Sequence, residues 1–350
     1  MLAALFAAIW ILVLPVVDGR LHAHIIGHSH CDPGWLDTFE QYYQRDVSQI
    51  ISNVFSVLSR DPKKKFVWSE SSYFQRWYES QSTSTKEAFK LLVYNGQLEF
   101  VGGGWSQNDE ANPDAITMIN QMTEGHQYLL RNFGVQPRVG WQIDPFGHSA
   151  VTPSLMALMG FDALVINRIH FNVKTEFKNR KHMEFMWRGV DVGANASATM
   201  FTHVLHTHYS APRGFDWEEG SGVGVNANNV RERAKDLSRQ LHERMSAYRT
   251  NQLLVPWGDD FKFRNAQHQF SQMDQIINEV MARPDEYDMT ISYSTLSDYF
   301  KAVHQEAKAA SPAIAFPVYG DDFFPYADNG DSYWTGFYTT RPVMKAVSRR

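Results

Sequence analysis

The sequence predicts an α/β fold whose sheet is mostly parallel, either open or closed into an incomplete barrel. Two observations carry that expectation. Short apolar runs of strand length alternate with longer stretches whose apolar residues recur at helical spacing. The chain also shows no internal repeat, no low-complexity tract and no long linker that would divide it. At 350 residues, 43% of them hydrophobic, it can form one large domain or two small ones.

The elements follow in order. Residues 22–29 (HAHIIGHS) predict a buried strand. Residues 41–60 predict a helix with Val47, Ile50, Ile51, Val54 and Leu58 on one face. Residues 65–70 (KFVWSE) form a strand, and a helical stretch then runs to about Tyr94, where Asn95-Gly96 ends it. A strand over 98–101, a helix over 114–132, a strand over 139–143, a helix over 153–159 and a strand over 163–167 come next. Residues 183–205 alternate as a hairpin does, and residues 229–249 form a charged amphipathic helix. Strands over 253–257 and 289–293 are each followed by a helix, over 267–281 and to about Lys308. The Gly- and Asn-rich stretch 214–229 reads as a mobile surface loop, and the aromatic tail 316–338 as loop.

Met1 to Val17 is almost wholly apolar, and its 17 residues fall short of the roughly 20 that span a bilayer. A signal peptide ending near residue 19 is therefore expected, with a short signal anchor as the alternative. Either sends residues 20–350 into the secretory lumen, and membrane attachment is expected only if the segment stays uncleaved. The sequon Asn195-Ala196-Ser197 fits that compartment. Cys31 is the only cysteine, so the chain has no internal disulfide and must rely on its core. The formal net charge of -5, with no basic stripe, argues against nucleic acid as a partner. Aromatic residues make up 14% of the chain, which suits either stacking on sugar rings or a large aromatic core.

In parallel α/β folds chemistry collects at the C-terminal ends of strands. Three predicted strands end in acids. In His28-Ser29-His30-Cys31-Asp32-Pro33-Gly34-Trp35 an extended backbone points His30 and Asp32 the same way, as two ligands of one metal ion require. Cys31 then points to the other side, and Asp-Pro-Gly alone reads equally as a polar turn. In Trp141-Gln142-Ile143-Asp144-Pro145-Phe146-Gly147-His148 the turn residues hold Asp144 at the strand rim. His148 there is a ligand, a support for one, or a helix-start residue. In Trp257-Gly258-Asp259-Asp260-Phe261 two adjacent carboxylates end a strand, and Asp259 is the candidate for capping the next helix. A pair of carboxyl groups roughly 5–5.5 Å apart is the apparatus of retaining glycoside hydrolysis. A zinc ion beside the sugar would polarise its hydroxyl oxygens.

At HSHCDPGW, FVGGGWSQNDEAN, WQIDPFGHS, AYRTNQLLVPWGDDF and DDFFPYADNGDSYWTGFYTTRP the sequence resembles glycoside hydrolase family 38, the α-mannosidases. The five stretches occur in family order from about residue 24 onward. The resemblance implies a seven-stranded, barrel-like α/β catalytic domain that binds Zn2+ and removes terminal α-D-mannose from N-glycan oligosaccharides and glycoproteins. It implies His30, Asp32 and Asp144 as zinc ligands, Asp144 also as nucleophile, and Asp260 as acid/base. It implies Trp35, Phe146 and Trp334 as the aromatic lining of a mannose site, with Arg168 near the nucleophile and Tyr209 beside them.

The sequence departs from the family in three places. Cys31 stands where Asn or Asp is usual. The loop after Thr207 lacks the cysteines of Golgi-type members. The His-His-Asp stretch that carries a fourth zinc ligand is not among these 350 residues, so a C-terminally incomplete domain is expected. DPGW, YRTN, GDDF and the segment 296–304 look more like Golgi than lysosomal members. An inactive glycan-binding remnant and a zinc-dependent carbohydrate deacetylase are the competing expectations.

Overall fold

The computed structural model describes residues 19–191, 193, 199–218 and 222–348. The segment Met1 to Val17 and the sequon at Asn195 lie outside the described residues. The strands are β1 (Leu21–Gly27), β2 (Phe66–Trp68), β3 (Leu98–Phe100), β4 (Val139–Gln142), β5 (Ala163–Ile166), β6 (Glu184–Arg188), β7 (Thr199–Val204), β8 (Gln252–Trp257), β9 (Met289–Tyr293) and β10 (Val318–Tyr319). The helices are α1 (Phe39–Tyr42), α2 (Ser48–Leu58), α3 (Ser71–Glu79), α4 (Thr83–Tyr94), α5 (Ala115–Phe133), α6 (Val151–Leu158) and α7 (Phe171–Arg180). They continue with α8 (Val230–Met245), α9 (Ala266–Ala282), α10 (Pro284–Tyr287), α11 (Leu296–Ala309), α12 (Gly336–Thr339) and α13 (Pro342–Ser348).

The order is the expected β-α alternation. β1 pairs in parallel with β8 on one side and β9 on the other. β2 pairs in parallel with β3. β10, β6, β7, β5 and β4 form a third sheet in that spatial order, parallel throughout except for the β6–β7 hairpin. That hairpin is the one expected over residues 183–205. A closed seven-stranded barrel is not formed among the described residues. β2 and β3 are only three residues long, so their ladder ends early. Single bonds such as Gly102 N–H to Val139 O (2.8 Å) link it to the neighbouring sheet instead of a continuous register.

Two packing layers hold the strands. Ile26, Val67, Val101, Val139, Val165 and Phe201 meet Leu296, Tyr299, Phe300 and Val303 of α11 in one buried cluster. The outer faces are covered by α2, whose Ile50, Ile51, Val54 and Leu58 are buried, and by an aromatic group around Phe74. Phe74 lies 5.0 Å from Phe89, 4.8 Å from Phe100 and 5.6 Å from Phe133 between ring centroids. Much of the aromatic content is thus core.

Capping explains the helix limits. Asp114 accepts a hydrogen bond from Thr117 N–H to start α5, and Gly134 closes it in the left-handed region (φ 67°). The single helix expected between Glu70 and Tyr94 is broken into α3 and α4, because Ser82 caps a new helix. Close approach decides a second glycine. A Cβ on Gly125 of α5 would come within 2.1 Å of Gly103 O, so α5 packs directly on the glycine run after β3. The described part of stretch 214–229 is loop with Val223, Gly224 and Asn226 to Asn228 exposed, while Phe215, Trp217 and Val225 are buried and anchor it to the core. The tail 316–338 is mostly irregular as expected, with only β10 and the start of α12 inside it, and α13 follows. No helix among the described residues is long and apolar enough to cross a membrane.

Candidate active site

β1 and β8 run side by side and carry their register past the last ladder pair, Gly27 with Trp257. His30 and Asp260 then form an isolated parallel bridge, with Phe261 N–H donating to His30 O at 2.9 Å and His30 N–H to Asp259 O at 3.2 Å. Asp144 follows β4, Arg168 follows β5 and Tyr209 follows β7. Every expected polar site residue therefore stands beyond the C-terminal end of a strand.

His30 is buried, and its Nε2 lies 3.2 Å from Asp32 Oδ1 and 3.5 Å from Asp144 Oδ2. One donor atom from each of the three lies within 4.8 Å of the others, the one such group among the described residues. Ligands about 2.0–2.2 Å from a tetrahedral zinc ion stand roughly 3.3–3.6 Å apart. The two short separations match that edge, and an imidazole with two carboxylates is an ordinary donor set for it. The residues fit a metal ion.

The other oxygen of Asp144 is held from elsewhere. Arg168 donates to Oδ1 through both Nε (2.7 Å) and a terminal nitrogen. The Arg168 guanidinium lies 5.2 Å from the Phe146 ring centroid and 5.0 Å from that of Trp334. The Tyr209 hydroxyl lies 3.2 Å from Asp144 Oδ1 and 3.0 Å from Asp260 Oδ1. Those two oxygens can be no further apart than the two contacts laid end to end, a span that includes the roughly 5–5.5 Å of a retaining carboxyl pair.

Burial works against charge on His30, but hydrogen bonds to Asp144 and Asp32 and the charges of Asp144 and Glu70 outweigh it and raise its pKa well above the usual value. Burial also acts to raise Asp144, yet its hydrogen bond to His30 and the charges of His30 and Arg168 bring it down to about 2. Asp260 moves the other way. Burial raises it, helped by the charges of Asp259 and Asp144 and opposed by His30 and Tyr209. The two carboxyl groups are pushed apart in acidity, the condition for one to act as an anion and the other to hold a proton.

His30, Asp32, Trp35, Gln107, Asp109, Asp144, Phe146 and Phe337 line a cavity of about 250 Å³. Trp35 stands at its rim, 70% exposed. Trp334 packs on Phe146 at 4.9 Å and belongs to the adjoining depression rather than the cavity wall. Asp259 does not cap the next helix: Asn265 does, while Asp259 accepts from Asp260 N–H at 2.9 Å. His148 is not in the metal group. Its Nδ1 lies 2.8 Å from Glu110 Oε1 in full burial, which makes it a support.

Sequence reasoning passed over three polar residues. Gln107 Oε1 accepts from the backbone N–H of Ile143 (3.0 Å) and Asp144 (2.9 Å). Glu110 accepts from Gln142 Nε2, His148, Ser149 N–H and Thr152 Oγ1, tying the loop after β3 to the loop after β4. Both lie well past the end of β3, where strand spacing offers no cue. Glu70, two residues past β2, obeys the strand-end rule and was legible. It is fully buried, and desolvation pushes it up to about 7.

A family description, the glycosyl hydrolases family 38 N-terminal domain, matches residues 20–329. The chain is 38% identical over 339 residues to "Alpha-mannosidase F" of Dictyostelium discoideum, covering 95% of this chain and 33% of that protein. It is 39% identical over 344 residues to "Lysosomal alpha-mannosidase" of the same organism, covering 94% and 33%. The chain thus spans about a third of the length of the curated relatives it matches. Its fold is similar to the crystal structure of an alpha-mannosidase from Enterococcus faecalis, with a TM-score of 0.64 at 20% identity over 87% of this chain and 31% of that one.

Proposed function

This chain belongs to glycosyl hydrolase family 38, and we propose that it carries the catalytic centre of a zinc-dependent retaining α-mannosidase. The Tyr209 hydroxyl bridging Asp144 and Asp260 is the observation that supports this best. It holds one carboxyl group whose pKa is raised, Asp260, beside one whose pKa is depressed, Asp144, next to His30 and Asp32. A retaining glycosidase needs that combination of nucleophile and acid/base. The mannosidase relatives support the same choice.

In this reading Asp144 attacks the anomeric carbon while Asp260 gives its proton to the departing glycosidic oxygen. The C–O bond breaks, and the sugar is left esterified to Asp144. Asp260, now a carboxylate, takes a proton from water, whose oxygen attacks the same carbon and releases Asp144. Two inversions at one carbon give net retention. Arg168 and Tyr209 hold Asp144 in place, and Trp35, Phe146 and Trp334 offer apolar faces to the ring. A zinc ion on His30, Asp32 and Asp144 supplies positive charge for the sugar hydroxyls. The substrates we assign are terminal α-mannose residues of N-glycans in the secretory lumen, with the Golgi preferred over the lysosome. The test is hydrolysis of a methyl α-mannoside by the zinc-loaded protein, followed by NMR. Initial release of the α-anomer is expected, and initial release of the β-anomer would reject the mechanism.

A further inference from the structure

Glu70 sits two residues beyond β2 at the start of α3, where an acidic side chain ordinarily accepts from free helix N–H groups. Here it caps nothing. The amides of Ser71 and Ser72 donate instead to Gly104 O (3.0 Å) and Trp105 O (3.2 Å), so the glycine run after β3 has taken over that task. The Glu70 backbone is fixed, because its carbonyl accepts from Trp68 Nε1 at 3.0 Å and Phe74 N–H at 3.2 Å. Its carboxylate is thereby held in the interior, 1% exposed, with no hydrogen-bond partner for either oxygen among the described residues. The nearest basic atom is His30 Nδ1, 3.8 Å from Glu70 Oε1. That nitrogen is also buried and without a partner.

Two buried groups lacking partners, one a donor and one an acceptor, therefore face each other across less than one water diameter beyond contact. Leaving either alone costs about 1–3 kcal/mol, more for a charged group. A small ring rotation closes the gap to a charge-assisted bond of about 2.7–2.9 Å. We propose that Glu70 is the positioning residue for His30, taking its Nδ1–H and so directing the Nε2 lone pair toward Asp32 and Asp144. This rests on the reading of those three residues as a metal group. Glu70 touches neither sugar nor metal. It acts by fixing which ring nitrogen carries the proton and by making the other a better donor to a cation. Charge balance agrees: the anions Glu70, Asp32 and Asp144 together match one divalent cation and the Arg168 guanidinium.

The test compares zinc binding, by competition with a fluorescent chelator, in wild type, Glu70→Gln, Glu70→Ala and His30→Ala. Glu70→Gln keeps the volume, so it separates positioning from packing if Glu70→Ala fails to fold. Zinc affinity is expected to fall roughly 10–100-fold in the Glu70 variants. In the metal-free protein the downfield ¹H signal of His30 Nδ1–H should move upfield in Glu70→Gln, which a merely structural residue would not cause. Wild-type zinc affinity in Glu70→Gln, with affinity lost in His30→Ala, overturns the role of Glu70 and leaves the metal group standing. Unchanged affinity in His30→Ala overturns the metal group itself.

Discussion

Arg168 and Tyr209 both place hydrogen on Asp144 Oδ1, which leaves Oδ2 turned to His30 Nε2 at 3.5 Å. Each oxygen of that carboxylate therefore has its own positive or donating neighbour, and the group stays ionised far below neutral pH. Among the described residues Asp260 has only the Tyr209 hydroxyl as a side-chain hydrogen-bond partner, so burial dominates and it keeps a proton more readily. This asymmetry separates two variants. Asp260→Ala removes the proton donor, so substrates with poor leaving groups are expected to slow by about 100-fold or more. Activated aryl mannosides, which need no proton, should still form the intermediate, and it should then accumulate because the base is gone too. Asp144→Ala should be inactive on both. Mass spectrometry after exposure to a fluorinated mannosyl donor is the measurement, and a label on any residue other than Asp144 rejects the assignment. His30, Asp32, Asp144 and Asp260 were legible because strand ends and period-two alternation dictate where they point. Tyr209 was expected only from the family resemblance, because its bridging position depends on where a loop returns over two other strands.

The loops after β3 and β4 show the same limit for whole elements. Most strands and helices could be read from periodicity, since each buries one face. The knot between these loops could not, because it consists of one carboxylate meeting four donors from distant sequence. Glu110 accepts from Gln142, His148, Ser149 and Thr152 with no solvent access to its side chain. Glu110→Ala would leave those donors buried and unanswered, at a cost of about 3–5 kcal/mol in a urea unfolding titration. The loop that carries Asp144 would lose its anchor, so zinc affinity should weaken with stability. Gly147 in that loop has φ 95°, and a Cβ there would meet Phe324 at 2.6 Å. The turn is thus set by backbone conformation and by the packing of the tail upon it. A Glu110→Ala protein as stable as the wild type would show that the knot holds nothing.

Across the whole molecule, the buried histidines make stability depend on pH. His24 is buried and bonds to Ser294 Oγ and Gln252 Oε1, both at 2.8 Å. Burial, reinforced by neighbouring His22, brings its pKa down to about 4. His28, fully enclosed and donating to Tyr209 O at 2.7 Å, is brought down to about 4 by burial as well. Below pH 6.5 the unfolded chain takes up protons at both positions while the folded chain does not. Stability must therefore fall as the pH drops from 6.5 toward 4, and level off below 4, by roughly 1.4 kcal/mol per pH unit for each site. His30 does not cancel this slope. Its folded pKa is raised, so its contribution is constant below 6.5 and is lost only as the pH rises through the higher folded value. His206 and His208 are also brought down by burial, to about 3 and about 4, and add to the fall, while Glu70, raised to about 7 by burial, takes up its proton first in the folded chain and opposes it. The same slope bears on the two compartments considered above, since the more acidic lumen costs the fold more. Urea unfolding at pH 7, 6 and 5 should give a declining free energy, and His24→Gln should make the decline shallower by about 1.4 kcal/mol per pH unit between 6.5 and 4. A wild-type protein equally stable at all three pH values, or a His24→Gln protein with the full slope, would mean that these rings are not kept neutral by burial.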